Sequence, residues 1–251
     1  MRKDVYIITG ASSDIGVAFL RRLQTKCVVE DRICDIVAQY FSSAAVLEDL
    51  QKELPNLNIV PYQCDLANMK AVEAWLSLLQ SEGIVPSHIL HFASPKFNYM
   101  RIKQMDWRRM QQEINVNAGS MALLLKYFLP VMAKQKYGRV VAMLTAYTIN
   151  VPPKFMSDYI MSKYALLGLI KAAASEYAGK GITINGISPN MMETKFLADI
   201  DERSIEMNAA GSAMKRNISL DEVCVAMEYL LSDEAGYING INFNLSGGDR
   251  M

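Results

Sequence analysis

Short runs of β-branched and apolar residues return seven times along the chain, at about 5–9, 35–40, 58–63, 88–93, 139–144, 183–188 and 242–245. Stretches with helical periodicity fill the intervals, near 15–25, 44–54, 69–82, 106–134, 158–178 and 220–231. Strand, crossover helix and strand in repetition bring each strand back parallel to the last. The alternation therefore predicts an α/β fold, a doubly wound parallel sheet with helices on both faces. No Pro/Gly/Ser-rich linker, charge block or repeat interrupts the 251 residues, which read as a single domain over 1–251. The stretch at about 190–219 is polar, carries methionines and has no strand. It reads as an insertion over the C-terminal edge of the sheet, where ligands of such folds bind.

Charge and composition remove several functions. Lys plus Arg and Asp plus Glu both number 26, so the chain has no net charge, which argues against nucleic acid as the main partner. Cys27, Cys34, Cys64 and Cys224 are far apart and form no CxxC, which fits a reducing cytoplasm and no disulfide framework. Met1-Arg2-Lys3-Asp4 leads into a short apolar run, not a signal-peptide core, and the greasy region 121–132 is broken by Lys126 and Pro130. A soluble protein with no membrane partner is expected. With only His88 and His91 in the chain, neither a metal site nor a histidine-based triad is expected.

Two local features bear chemistry. Thr9-Gly10-Ala11-Ser12-Ser13-Asp14-Ile15-Gly16 follows the first strand and opens a helix, and its small residues let backbone amides and the helix N-terminus approach a pyrophosphate. Ser157-Asp158-Tyr159-Ile160-Met161-Ser162-Lys163 sets a tyrosine and a lysine four apart, on one helix face. An ammonium beside a phenol favours the phenolate and is expected to pull the tyrosine pKa down from about 10, making it a proton donor and acceptor near neutrality.

Taken together these motifs make the chain similar to the short-chain dehydrogenase/reductases of the compact type, with a Rossmann-like sheet. The resemblance spans nearly the whole length. It takes in the Thr9–Gly16 turn, Asp65-Leu66 after the third strand, Asn117 with Pro130 downstream, Gly138-Arg139-Val140-Val141, Tyr159 with Lys163, Gly181-Ile182-Thr183-Ile184-Asn185, Thr194 and Gly247-Gly248. It implies an oxidoreductase in which Tyr159 exchanges a proton with a carbonyl oxygen as hydride is transferred. Lys163 would lower the tyrosine pKa and hold the nicotinamide ribose, Thr145 would hydrogen-bond the reacting oxygen, and Asn117 would hold a relay water. The resemblance places Gly10, Ser12, Ser13, Asp14, Ile15 and Gly16 around the cofactor pyrophosphate and ribose. It places Asp65 and Leu66 at the adenine, Ala93 along the cofactor, and Thr194 at the nicotinamide end.

The chain also departs from that family. Asp14 stands where the turn has its middle glycine, and is expected to serve as the N-cap of the helix starting at Ile15. His91-Phe92-Ala93-Ser94 replaces the usual Asn-Asn-Ala-Gly, and His91 reads as a satisfied core residue. Thirteen residues separate Thr145 from Tyr159 where the family more commonly has twelve, with Thr148 the nearby competitor for the hydroxyl role. The second strand ends Gln39-Tyr40-Phe41-Ser42-Ser43 without the acid of NAD-binding relatives, which favours NADP(H) with Ser42 and Ser43 as donors to its 2′-phosphate.

Met156, Met191, Met192, Met207, Met214 and Tyr147 are candidates for an apolar substrate pocket. The broad resemblance is to β-ketoacyl acyl-carrier-protein reductases, with Lys136 and Lys180 where those enzymes meet the acidic carrier. It implies a small-molecule or carrier-linked carbonyl substrate and a homotetramer. The alternatives are a reductase of sugar-nucleotides or other polar alcohols, and a non-catalytic nucleotide-binding partner of the same fold. Enoyl reductases of the superfamily space their Tyr and Lys more widely than the four found here.

Overall fold

The computed structural model describes residues 4–249, so Met1 to Lys3 of the N-terminal stretch lie outside it. The first half runs β1 (Val5–Thr9), α1 (Asp14–Val29), β2 (Cys34–Tyr40), α2 (Ala45–Glu53), β3 (Leu57–Gln63), α3 (Met69–Ser81) and β4 (His88–His91). The second runs α4 (Trp107–Ile114), α5 (Ser120–Gln135), β5 (Gly138–Met143), α6 (Ser157–Glu176), β6 (Ile182–Pro189), α7 (Glu202–Gly211), α8 (Leu220–Leu231) and β7 (Asn242–Leu245). The seven strands form one sheet in the order β3-β2-β1-β4-β5-β6-β7, and every pairing is parallel.

Strand alternation sends successive side chains to opposite faces, so each face has its own core. Ile8 packs with Phe19 and Leu20 of α1, Leu47 of α2 and Met227 of α8. Its neighbour Ile7 packs on the other side with Leu76 of α3, Phe128 of α5 and Leu166 of α6. The order in which strands are added reverses between β1 and β4, which opens a crevice at the C-terminal strand ends.

Three details differ from the sequence expectations. The helix expected over 106–134 is interrupted, because a π turn at Asn115–Gly119 separates α4 from α5. The strand expected to reach residue 93 ends at His91, where the chain bends over Gly10. The stretch 190–219 holds a short 3-10 turn, Lys195–Leu197, and the helix α7, whose N-cap Asp201 accepts from Ser204 N. The helical run Trp107–Gln135 is long and apolar enough by length and composition to cross a bilayer. Its apolar side chains Leu124, Leu125, Phe128 and Leu129 are nonetheless buried in the body, as in a core helix.

One buried polar side chain ties the crevice edge together. Gln39 Oε1 accepts from Gly10 N at 2.8 Å, and Gln39 Nε2 donates to the Cys64 carbonyl at 2.7 Å. Replacing it with an apolar residue leaves a backbone donor and acceptor unpaired. Gln39→Leu is expected to lower unfolding free energy by about 1–3 kcal/mol, read as a fall in the urea midpoint with an unchanged slope.

Candidate active site

The crevice holds a cleft of about 460 Å³ that runs from Asp65 and Leu66 past the β1–α1 turn to Tyr159. Gly10 turns there with φ +67°, and a Cβ on it would lie 2.8 Å from Ala93 N. A Cβ on Gly16 would lie 2.5 Å from the Ala11 carbonyl, so both glycines are sterically required. Gly10, Ser12, Ser13, Asp14, Ile15, Asp65, Leu66, Ala93 and Thr194 all line the cleft, while Gly16 sits buried behind the turn. This cradle suits a dinucleotide, with a glycine turn and a helix N-terminus at its middle.

Ser42 and Ser43 are not part of this cradle. Both are exposed, Ser43 Oγ accepts from Ala45 N at 3.3 Å, and Phe41 lines the cleft in their place. The expectation for Asp14 is also corrected. Ser13 is the N-cap of α1, accepting from Gly16 N at 3.2 Å and donating to the Gly10 carbonyl at 2.6 Å. Asp14 lies in the first turn and reaches across the cleft, where its Oδ2 accepts from Lys195 N at 2.7 Å and its Oδ1 lies 3.8 Å from Lys195 Nζ. It anchors the 190–219 stretch.

At the other end, α6 presents Tyr159 and Lys163 one turn apart, both buried. Lys163 Nζ donates to the Met143 carbonyl at 2.9 Å and lies 5.7 Å from the centre of the Tyr159 ring. Burial brings the Lys163 pKa down to about 8, with Glu113 acting to raise it. Burial also pushes the Tyr159 phenol well above its ordinary 10, while a hydrogen bond with Thr145 acts the other way. The sequence expectation that Lys163 depresses the tyrosine is therefore not met in this arrangement. Burial disfavours the phenolate, and the Lys163 ammonium donates to the Met143 carbonyl and not to the phenol.

Thr145 follows β5 in extended backbone and is the hydroxyl that meets Tyr159. Thr148 is otherwise engaged, since its Oγ1 donates to the Thr145 carbonyl at 2.8 Å and accepts from Asn242 Nδ2 at 3.0 Å. Asn117 sits in the π turn beneath the cleft wall, fully buried, with Nδ2 donating to the Glu113 carbonyl at 3.0 Å. His91 is a satisfied core residue, as expected. Its Nδ1 lies 2.7 Å from Thr9 Oγ1 and its Nε2 2.9 Å from the Asn117 carbonyl, and burial brings its pKa down to about 3.

The wall around Tyr159 is more aromatic than the sequence suggests. Phe97 meets the Tyr159 ring edge-on at 5.4 Å, Phe196 lies 5.9 Å from it, and Met156, Leu197 and Ile200 complete the cluster. Met156, Met191, Met192 and Tyr147 line the cleft, whereas Met207 and Met214 are exposed and do not line it. Phe97, Phe196, Gln39 and Glu113 escape sequence reasoning because nothing in their local spacing marks them. Only the folded chain brings them to the cleft or its floor.

The family model described as Enoyl-(Acyl carrier protein) reductase matches residues 28–249. The 3-oxoacyl-[acyl-carrier-protein] reductase of Buchnera aphidicola subsp. Baizongia pistaciae is 23% identical over 258 residues, covering 99% of this chain and 98% of the relative. A 4-hydroxyisoleucine dehydrogenase complexed with NADH superposes with TM-score 0.85 at 23% identity, over 98% of both chains. An NADPH-dependent reductase involved in bacilysin biosynthesis superposes with TM-score 0.85 at 18% identity, again over 98% of both.

Cutting the Asp14 anchor should loosen the stretch it holds. Asp14→Gly removes one hydrogen bond worth about 1 kcal/mol, so limited trypsin digestion after Lys195 is expected to run roughly five times faster. An unchanged cleavage rate would show that the segment is held by its apolar contacts alone.

Proposed function

The chain belongs to the short-chain dehydrogenase/reductase family, and from that premise we propose that it interconverts a ketone and a secondary alcohol on an apolar substrate. The observation that carries this is the Tyr159 phenol, buried, bonded to Thr145 and walled by Phe97 and Phe196 at the end of a dinucleotide-sized cleft. A bound nicotinamide supplies or accepts the hydride. The protein residues manage the oxygen. Thr145 and Tyr159 donate to the substrate carbonyl, and Tyr159 transfers its proton as the oxygen becomes an alcohol. A phenol kept above its ordinary pKa holds that proton at neutral pH. Lys163, still cationic at pH 7 with a pKa of about 8, restores it and binds the ribose, while Asn117 organises the relay behind it.

Apolar walls favour a short acyl or aryl ketone over a sugar-nucleotide. A β-ketoacyl thioester such as the substrate of the Buchnera relative fits this reading. Lys136 and Lys180 precede β5 and β6, at the opposite end of the sheet from the cleft, so a carrier bound there would not face this chain's own site. NADP(H) is the proposed cofactor, on the strength of a β2 end without a carboxylate. A cytoplasmic homotetramer is proposed from the family, supported by exposed Trp107 on α4 and Met161 and Tyr164 on α6. Light scattering is expected to give about four times the 28.1 kDa chain mass, and a monomer alone would remove this reading.

The test is NADPH and NADH oxidation with acetoacetyl-CoA and with crotonyl-CoA. Reduction of the ketone with NADPH, and none of the alkene, is expected. Tyr159→Phe should abolish turnover and leave NADPH binding nearly intact. Thr145→Val should lower kcat by about a hundredfold or more, because it deletes one donor to the reacting oxygen, and Thr145→Ser should remain active. Full activity in Thr145→Val with loss in Thr148→Val would reassign the hydroxyl.

A further inference from the structure

Beneath Tyr159 and Lys163 lies a second buried carboxyl that the reaction as described does not use. Glu113, in the last turn of α4, is only 3% exposed. Its Oε2 accepts from Asn117 Nδ2 at 3.2 Å, a neutral donor. The other buried acid here, Asp158, has a cation of its own, with Arg109 Nε 2.9 Å from its Oδ2. Five groups face Glu113 electrostatically or by hydrogen bond, namely Asp158, Tyr159 and Lys163 from α6, Arg109 from its own helix, and Asn117 from the π turn. Glu113 in turn acts on both Tyr159 and Lys163. Asn117 Oδ1 is fully buried and has no hydrogen-bond partner, which leaves one acceptor open on the other arm of the amide whose Nδ2 meets Glu113.

We propose that Glu113 is a positioning residue of the ketone reduction, an internal proton store that resupplies Lys163. This rests on the ketone-reductase reading above. In reduction, the Tyr159 O–H bond breaks as the proton moves to the carbonyl oxygen, and an N–H of Lys163 is given up to the phenolate. The Glu113 O–H then breaks as a water takes its proton, that water gives one of its own protons to restore the Lys163 N–H, and its remaining O–H donates to Asn117 Oδ1. Glu113 is left as a carboxylate, which solvent reprotonates from the partly exposed Arg109 side. No electron changes hands in these steps, and the buried charge stays balanced until solvent replaces the proton.

Thermodynamics allows the exchange. Burial, with the Asp158 charge added, pushes the Glu113 carboxyl up to about 7, while burial brings Lys163 down to about 8. A proton can therefore pass between them at small cost in either direction. His91, which also feels the Lys163 charge, is not available for this role, because both ring nitrogens are occupied and its pKa is about 3.

Infrared titration of the wild-type protein, without substrate, is expected to show a protonated carboxyl stretch that disappears near pH 7 and is absent in Glu113→Gln. Lys163→Met should move that transition to higher pH, because the ammonium is one of the groups holding it down. For acetoacetyl-CoA reduction with NADPH, Glu113→Gln should lower kcat about tenfold with KM changed less than twofold. Its alkaline limb should shift to lower pH, since Glu113 acts to raise the Lys163 pKa, and Glu113→Asp should restore part of the rate. The proposal is overturned by absence of the titrating band, by a transition that Lys163→Met leaves in place, or by a loss in Glu113→Gln that is uniform across pH. A wild type that shows the coupled band yet reduces no ketone overturns the ketone-reductase reading instead, and with it the role of Glu113 in that reaction.

Discussion

A buried ammonium is the constraint on which the site depends. Taking a cation out of water costs several kcal/mol, so Lys163 can be 2% exposed only if its surroundings return most of that. The Met143 carbonyl does so because pairing of β5 to its neighbours is ending there. The Tyr159 ring face and the Glu113 carboxyl add to it. The remaining deficit is visible as a lysine pKa of about 8, low enough to exchange a proton and high enough to stay charged at neutrality.

Sheet topology provides the place for that charge. Parallel strands leave their carbonyl ends at one edge, and the reversal between β1 and β4 parts the crossovers there. Gly10 lets the β1 end pass against Ala93, and Gln39 joins the β1 turn to the end of β3 through two hydrogen bonds. The candidate cofactor cradle is thus held by a backbone turn and the Gln39 side chain, while Tyr159, Lys163 and Asn117 hang from α6 and the π turn. The π turn has its own consequence, since it keeps Asn117 and Glu113 both directed inward.

All seven strands were legible in the sequence because a parallel sheet buried on both faces writes itself as short β-branched runs. Tyr159, Lys163 and the Gly10 turn were legible because their relation is a spacing along one element, a single helix turn or a single strand-to-helix turn. Phe97, Phe196 and Glu113 were not, since each contributes through a tertiary contact that local periodicity does not record. Helix α7 was hidden by its weak amphipathicity, with no fully buried residue, although Asp201 before Glu202 is a fair capping signal. The pKa of Tyr159 ran against expectation for a related reason, because helical spacing reports which groups are adjacent and says nothing of how far both are removed from water.

Two departures from the family pattern, Asp14 and His91, are absorbed by partners found elsewhere in the chain. Asp14 would oppose a pyrophosphate if it faced inward, and Lys195 draws it across the cleft. His91 is absorbed through its tautomer. A backbone carbonyl can only accept, so the contact to Asn117 requires the proton on Nε2, and Nδ1 must then accept from the Thr9 hydroxyl. That arrangement leaves the ring neutral, as its burial demands, and links β1, β4 and the π turn through one side chain. Asn117 thus takes part through its backbone carbonyl and its Nδ2, and its side-chain oxygen is the buried acceptor without a partner.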